Sequence, residues 1–164
     1  MKPNKLAMTA KKAAHTIAHT PTDQKDRALL ALGQLIGEKK AYLMLENKKD
    51  IESAEKAGLA KSLIDRLRID DKIIKEMQSS IRDVVNLPDP VGEIVKIWKR
   101  PNGLQVGRMR IPIGVIFVIY ESRPNVTVEC AALCLKSSNV AILRGGREAM
   151  ASNRAFVSLF KESL

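Results

Sequence analysis

The fold of this chain is decided by the segment VIFVIYESRPNVT, residues 115–127, in which an unbroken apolar run passes into a polar turn and a proline. An apolar run of this length is typical of a strand covered on both faces, as in a parallel sheet. Pro124 suits the first turn of a helix, where its missing N–H has no hydrogen bond to lose. A second apolar run, Val140–Leu143, leads through Arg144-Gly145-Gly146-Arg147 into a helical segment, Glu148–Leu164. Together the two segments predict a β-α-β-α unit.

The residues before this unit carry apolar side chains at helical spacing. Thr22, after a proline, predicts the start of a helix that ends at Ala57-Gly58, and Asp70-Asp71 predicts the start of another that stops at the prolines of residues 87–90. The apolar stripes are Leu6, Ala10, Ala13, Ala14, Ile17 and Ala18; Leu29, Leu32, Ile36 and Leu43; and Ile73, Met77, Ile81 and Val84. We therefore predict a helical part over residues 1–90.

Residues 91–111 predict a β-hairpin. Side chains alternate along residues 94–99, the turn signal Arg100-Pro101-Asn102-Gly103 follows, and Leu104–Arg110 returns as the partner strand. The two strands of residues 112–164 are too few for a parallel sheet, and an incomplete sheet exposes its edges. We therefore expect the chain to be the front part of a larger protein, or a truncated relative of one.

The composition favours one globular domain with an anionic partner. The chain has 164 residues, with 28 lysines and arginines against 18 aspartates and glutamates, so its net charge is +10. This balance suits a phosphorylated small molecule or a nucleic acid, or only a solvated surface. No apolar run reaches the roughly 18 residues of a membrane helix, and Met1–Ala7 lacks the apolar region of a secretory signal. The two cysteines form no disulfide framework, so we expect a reducing, cytoplasmic compartment.

Two groups of residues at the strand ends are candidates for binding or chemistry. In Arg144-Gly145-Gly146-Arg147, the glycines permit close backbone approach and the arginines offer forked donors to a phosphate at the N-terminus of the next helix. A Gly-Gly pair at a strand end is, however, more often only a turn. Asn125, in the first helical turn, suits either a helix cap or a group that stabilises a developing oxyanion. The pattern alone leaves both pairs of alternatives open.

The cysteines and histidines do not predict a metal site. Cys130 and Cys134 are four residues apart on one helix, and no further cysteine exists to complete a zinc site. His15 and His19 have the same spacing, without the intervening glutamate of a metalloprotease motif. We interpret both cysteines as small buried apolar residues.

Several motifs together resemble those of the gamma-glutamyl phosphate reductases, a family of the aldehyde dehydrogenase superfamily. They are Arg100–Leu104, Gly107-Arg108, Pro112–Ile116, Tyr120–Thr127, Ala131–Ser137 and Ile142–Gly146. The resemblance implies an α/β fold of the aldehyde dehydrogenase type, in which residues 1–164 form the N-terminal part of a Rossmann-like, NADP-binding domain and the catalytic domain is absent. It also implies that the hairpin belongs to a bridging element through which members form homo-oligomers. Phe117 and Ser138 stand where the family is expected to have glycine.

The resemblance further implies a reaction and roles for individual residues. Members reduce the small acyl phosphate L-glutamyl 5-phosphate to L-glutamate 5-semialdehyde with NADPH, in proline biosynthesis, with no nucleic acid or membrane involved. Asn125 matches the position that helps to hold the oxyanion. Arg144 matches the position that contacts the adenosine ribose, beside Gly145, Gly146 and Arg147, and its charge suits the 2′-phosphate of NADPH. The nucleophilic cysteine belongs to a later domain, so the chain alone is expected to be inactive; the alternative is a non-catalytic fragment that binds nucleotide or a partner.

Overall fold

The structure is a computed structural model that describes residues 3–164; Met1 and Lys2, part of the segment considered above for a secretory signal, lie outside it. The elements are α1 (Pro3–Ile17), α2 (Thr22–Glu38), α3 (Lys40–Lys56), α4 (Lys61–Leu67), α5 (Asp71–Asn86), β1 (Ile94–Lys99), β2 (Gln105–Met109), β3 (Val115–Ile119), α6 (Pro124–Lys136), β4 (Val140–Arg144) and α7 (Met150–Ser163). Helices, hairpin and β-α-β-α unit follow one another as the sequence predicts. None of the described helices has the length and apolar character that crossing a membrane requires.

The core is an aliphatic cluster enclosed by α2, α3, α5, α6 and α7. Its buried members are Leu29, Leu32, Ile36, Leu43, Ile69, Ile74, Met77, Ile81, Val84, Val128, Ala132, Leu135, Ala155, Phe156 and Leu159. This confirms the second predicted stripe in full, and the third with Ile73 only partly buried at its margin. The stripe on α1 is confirmed in part: Ala10 is buried and Ile17 packs against the core, whereas Leu6 and Ala13 are exposed.

The single helix predicted for residues 22–57 is wrong, because the chain breaks at Lys39. This residue has φ −99° and ψ 22°, and it separates α2 from α3. Its N–H still donates to the Leu35 carbonyl, and its own carbonyl accepts from the Leu43 N–H at 3.0 Å. Leu43 remains in the core beyond the break. The apolar periodicity therefore continues across the break and conceals it in the sequence.

β1 and β2 form the predicted antiparallel hairpin. Trp98 lies opposite Val106, and the turn is closed by a hydrogen bond from the Arg100 N–H to the Leu104 carbonyl at 2.8 Å. Gly103 has φ +86°, a left-handed conformation that glycine adopts without steric cost. Every side chain of β1 is exposed. The hairpin therefore adds nothing to the core of the described residues.

β3 and β4 run parallel and are joined by α6, as predicted. Val115 lies opposite Val140, and Ile119 lies opposite Arg144. One face of β3 is uncovered, since Phe117 and Ile119 share it and are 58% and 71% exposed. This agrees with the expectation that the parallel sheet is incomplete in this chain. Within the described residues no element covers these two side chains. Because Phe117 points to open space, nothing in this structure demands a glycine at its position.

Ser138, the other position where glycine is expected, lies in the tight loop between α6 and β4. Its φ of +54° is left-handed, a conformation that costs a residue other than glycine about 1–2 kcal/mol. The residue is fully buried, and its Oγ accepts a hydrogen bond from Lys25 Nζ at 2.9 Å. Lys25 is itself buried and pairs with Asp89 at 2.5 Å. The serine hydroxyl thus supplies a buried cation with an acceptor that glycine lacks.

Candidate functional site

The carboxyl ends of β3 and β4, after which the two candidate groups lie, meet at one edge of the sheet. The Tyr120 N–H donates to the Arg144 carbonyl at 3.1 Å, so the turns after the two strands begin side by side. The turn after β4 passes through a short 3-10 turn, Arg147–Ala149, so the helix predicted from Glu148 begins at Met150. In open parallel sheets this edge is where ligands bind.

Gly145 and Gly146 lie directly against side chains of this chain, which a larger residue at either position would have to displace. A Cβ on Gly145 would lie 2.5 Å from Asn153 Nδ2 and 3.1 Å from the Tyr120 ring. A Cβ on Gly146 would overlap the Oγ of Ser122. The close backbone approach that the glycines permit is therefore an approach to side chains of this chain, which brings the turn after β4 directly against the turn after β3.

A partly buried chain of hydrogen bonds supports the two turns. The Tyr120 hydroxyl lies 2.7 Å from Thr127 Oγ1, and Thr127 Oγ1 donates to Asn153 Oδ1 at 2.7 Å. Because the Thr127 proton goes to Asn153, the Tyr120 hydroxyl is the donor to Thr127. Burial raises the pKa of Tyr120, so that proton stays in place at neutral pH. These hydrogen bonds join the end of β3 to α6 and α7 beside Gly145.

A second hydrogen bond links the turns at the surface. Ser122 Oγ donates to Glu148 Oε2 at 2.6 Å. This bond, with a smaller contribution from the charge of Arg147, lowers the pKa of Glu148. The carboxylate is therefore ionised at neutral pH, and it joins the turn after β3 to the 3-10 turn before α7.

Arg144 and Arg147 are exposed, and neither forms an ion pair with another side chain of residues 3–164. By contrast, the nearby Arg66 is engaged, with its Nη1 lying 3.1 Å from Glu121 Oε2. Two unpaired guanidinium groups at this edge of a parallel sheet offer planar, forked N–H donors that match the oxygens of a phosphate.

The N-terminus of α7 is already occupied by a carboxylate of the chain. Asp50 Oδ1 accepts from the Ala151 N–H at 2.9 Å, and Asp50 Oδ2 accepts from the N–H and the hydroxyl of Ser152 at 2.8 Å and 2.7 Å. The Ala151 and Ser152 amides are therefore not available to a phosphate, because Asp50 binds them and places a negative charge beside them. Whether the preceding residues, Arg144–Arg147, bind a phosphate stays a prediction.

Asn125 lies half-buried in the first turn of α6. The N-cap residue of this helix is Arg123, and no side chain caps it, so the helix-cap alternative is wrong. Asn125 Nδ2 instead donates to Glu129 Oε1 at 3.2 Å, at the long end of the range for such bonds. An amide nitrogen has two N–H donors. The second of them makes no hydrogen bond within the described residues.

Comparison with known proteins shows what these features resemble. No protein-family model matches the chain. A gamma-glutamyl phosphate reductase from Sulfurihydrogenibium sp. (strain YO3AOP1) is 51% identical over 158 residues, which cover 96% of this chain and 35% of that protein. The crystal structure of gamma-glutamyl phosphate reductase from Thermotoga maritima has a TM-score of 0.93 at 42% identity, covering 96% of this chain and 38% of the other. The chain matches the N-terminal portion of gamma-glutamyl phosphate reductases.

The aldehyde dehydrogenase-like fold is confirmed as well. An NAD-dependent benzaldehyde dehydrogenase from Corynebacterium glutamicum has a TM-score of 0.68 at 18% identity, covering 94% of this chain and 31% of the other. The chain spans little more than a third of the length of the gamma-glutamyl phosphate reductases that it matches. The α/β architecture at the site is therefore the one expected from the sequence motifs.

The cysteines of this reductase-like chain are not activated thiols. Cys130 is half-buried, Cys134 is buried, and both are free. Burial raises the pKa of both thiols, and the Glu129 carboxylate raises that of Cys130 further. A raised pKa keeps a thiol protonated and unreactive, which agrees with their interpretation as apolar packing residues. Residues 3–164 also contain no group of three or more side chains suited to hold a metal ion.

A cavity of about 350 Å³ opens beside the strand ends of the reductase-like chain. Its lining residues are Leu59, Leu63, Arg66, Leu67, Glu121, Ser122, Gly146 and Glu148. α4 and the loop before it provide an apolar wall, and the two strand-end turns provide a polar one. Sequence reasoning missed this contribution of α4, because nothing local in residues 59–67 points to a partner such as Glu121, 55 positions after Arg66.

Proposed function

We propose that this chain forms the cofactor-binding portion of an NADPH-dependent gamma-glutamyl phosphate reductase, which reduces L-glutamyl 5-phosphate to L-glutamate 5-semialdehyde and phosphate in proline biosynthesis. The match of nearly the whole chain to the N-terminal portion of such reductases carries this proposal. In it, residues 1–90 form the helical layer, residues 91–111 the oligomerisation hairpin, and residues 112–164 the first part of the NADP-binding sheet.

The turn after β4 fits the phosphate-bearing half of NADPH. Arg144 and Arg147 are exposed without ion-pair partners among the described residues, as recognition of a dianionic phosphate requires. Gly145 and Gly146 hold the turn against the end of β3, so both arginines project from a fixed backbone. Since NADH lacks the 2′-phosphate, these charges favour NADPH over NADH.

The chemical step divides between this chain and the portion of the relatives that it does not span. NADPH, when bound, supplies the hydride. Asn125 presents its side-chain amide to the oxyanion that develops as the acyl group reacts, because its second N–H donor has no acceptor among the described residues. Cys130 and Cys134 keep their protons and do not serve as nucleophile. Residues 1–164 by themselves are therefore inactive.

The substrate is a small molecule and the complete enzyme is a homo-oligomer. The hairpin exposes apolar side chains, Ile94, Val95 and Ile97, that a second copy covers. Aromatic residues make up only 4% of the chain, which gives little surface for stacking nucleic acid bases. Two free cysteines suit the reducing cytoplasm, where we place the protein.

Two experiments test this function. In the first, calorimetric titration of the 164-residue chain is expected to show tighter binding of NADPH than of NADH, while NADPH oxidation with glutamyl phosphate stays at background. In the second, residues 1–164 are fused to the remaining portion of the Thermotoga maritima reductase, and the fusion is expected to oxidise NADPH only when glutamyl phosphate is present. Equal affinities for the two cofactors, or turnover by the chain alone that disappears in Cys134→Ala, would contradict the proposal.

A further inference from the structure

Asp50 joins the N-terminal helices to the turn that carries the phosphate-binding arginines. It lies buried on α3, 101 positions before Ala151, and its carboxylate accepts the hydrogen bonds from the first turn of α7 described above. Hydrogen bonds to an ionised carboxylate are stronger than those between neutral groups. The first turn of α7 is therefore held by α3, a helix from the N-terminal part of the chain.

A second buried side chain on α3 reinforces this attachment. Asn47, one helical turn before Asp50, donates from Nδ2 to the Leu67 carbonyl at 2.7 Å and to Ser152 Oγ at 3.0 Å. Its Oδ1 accepts from the Ile69 N–H at 2.8 Å. Every buried side-chain polar atom of the described residues has a partner. α3 thus fixes both the segment after α4 and the start of α7 in one polar network.

The turn between β4 and α7 has little freedom of its own. Arg144 is paired with β3 at one end, and Ala151 is bound to Asp50 at the other. Between them the Cβ positions of Gly145 and Gly146 are closed off by neighbouring side chains. A displacement of the first turn of α7 must therefore move the backbone that carries both arginines.

We propose that Asp50 is a positioning residue for cofactor recognition. It holds the Arg144–Arg147 turn in the position from which both guanidinium groups bind one phosphate. Its negative charge repels that phosphate from the N-terminus of α7. This inference rests on the proposed function, because it takes the phosphate to be the 2′-phosphate of NADPH. It adds a residue from the helical layer to a site otherwise built at the strand ends.

The test compares two carboxylates that cap helices. Asp70 caps α5 by accepting from the Ile73 N–H at 2.8 Å, and it is exposed and outside the strand-end site. Asp50→Asn keeps the shape of the side chain but removes its charge and replaces one of its two accepting oxygens by an NH2 donor. Asp70→Asn removes the charge at the control helix and keeps an oxygen for its one cap hydrogen bond. In the 164-residue chain we expect Asp50→Asn to weaken NADPH binding about tenfold and NADH binding less, so that the preference for NADPH falls. Asp70→Asn is expected to leave both affinities unchanged.

Amide hydrogen exchange of the cofactor-free chain supplies a second reading. Asp50→Asn is expected to speed exchange at residues 145–152 about tenfold, with no such change there in Asp70→Asn. If wild type binds no NADPH, the proposed function fails, and the exchange rates alone decide whether Asp50 holds the turn. Unchanged exchange in Asp50→Asn, or an NADPH preference that survives in it, would overturn the inference.

Discussion

Lys25 Nζ donates a 2.9 Å hydrogen bond to Ser138 Oγ across 113 positions of the chain, which ties the start of α2 to the loop between α6 and β4. The same ammonium group donates to the Lys136 carbonyl at 3.1 Å and pairs with Asp89 at 2.5 Å. A buried lysine is tolerated only when its charge and its donors are satisfied. The left-handed serine therefore belongs to a network whose loss affects the whole fold.

Two substitutions at Ser138 separate the cost of its left-handed backbone from the value of its hydrogen bond to Lys25. Ser138→Ala keeps the left-handed strain and leaves Lys25 one acceptor short, so we expect the free energy of unfolding to fall by about 1–3 kcal/mol. Ser138→Gly loses the same acceptor but relieves about 1–2 kcal/mol of strain, so its stability should lie between that of the alanine variant and wild type. Urea unfolding followed by circular dichroism measures this, with Ser158→Ala, at an exposed serine on α7, as the control. An alanine variant as stable as wild type would count against the prediction.

Asp89 makes the stability of the chain depend on pH. Partial burial alone would raise its pKa, but the hydrogen bonds from Lys25, Thr22 and the Val91 N–H outweigh burial and lower the pKa of Asp89 below its ordinary value of 3.8. A lowered folded-state pKa contributes stability above the ordinary value, and this contribution is lost as the pH falls through the folded-state pKa, below 3.8. We therefore expect Asp89→Asn to be less stable than wild type at about pH 6, and the gap to close below about pH 4. Urea unfolding at a series of pH values measures the difference in the free energy of unfolding between wild type and variant. A difference that does not change with pH would refute the prediction. Asp23→Asn, at an exposed carboxylate, is the control.

Gly146 is predicted to tolerate no larger residue while Ser122 is present. The Cβ of Gly146→Ala would overlap Ser122 Oγ with Glu148 beside it, so we expect the free energy of unfolding to fall by about 1–3 kcal/mol. Adding Ser122→Ala removes the overlapping atom and should restore part of this loss. Gly33, inside α2, is the matched control, because its Cβ would meet nothing closer than Ile81 at 3.6 Å. Gly33→Ala should raise stability by up to about 1 kcal/mol in the same thermal melts, and an equal response at both glycines would refute the packing argument.

Arg144 is predicted to distinguish the two nicotinamide cofactors. Arg144→Ala removes a guanidinium group from the 2′-phosphate, so NADPH binding should weaken about tenfold or more, which corresponds to about 1.4 kcal/mol. NADH binding should change less, because NADH has no 2′-phosphate. Calorimetric titration of both cofactors measures the difference, and Arg82→Ala on α5, also exposed, is the control that should change neither affinity. Equal losses for the two cofactors in Arg144→Ala would show that this arginine does not read the phosphate.

Local patterns in the sequence determined the elements and the edge at which the site lies. Apolar stripes at helical spacing on α2 and α5 predicted which side chains enter the core, because one face of each helix must be buried. The turn of residues 100–103 predicted the hairpin. The passage from an apolar run into Pro124, and from another into Gly145 and Gly146, predicted two strand ends at one edge, because parallel strands joined by a helix end on the same side.

Only the tertiary structure decided how that edge is built. The break at Lys39 was hidden because apolar spacing continues across it. An incomplete sheet was expected to leave a face open, but an apolar run does not tell its two faces apart, so only the structure identified the open face as the one that carries Phe117. The sequence also did not reveal that Asp50, 101 positions before Ala151, accepts hydrogen bonds from the first turn of α7. Hydrogen bonds between residues so far apart depend on how the chain packs, and no local spacing encodes them.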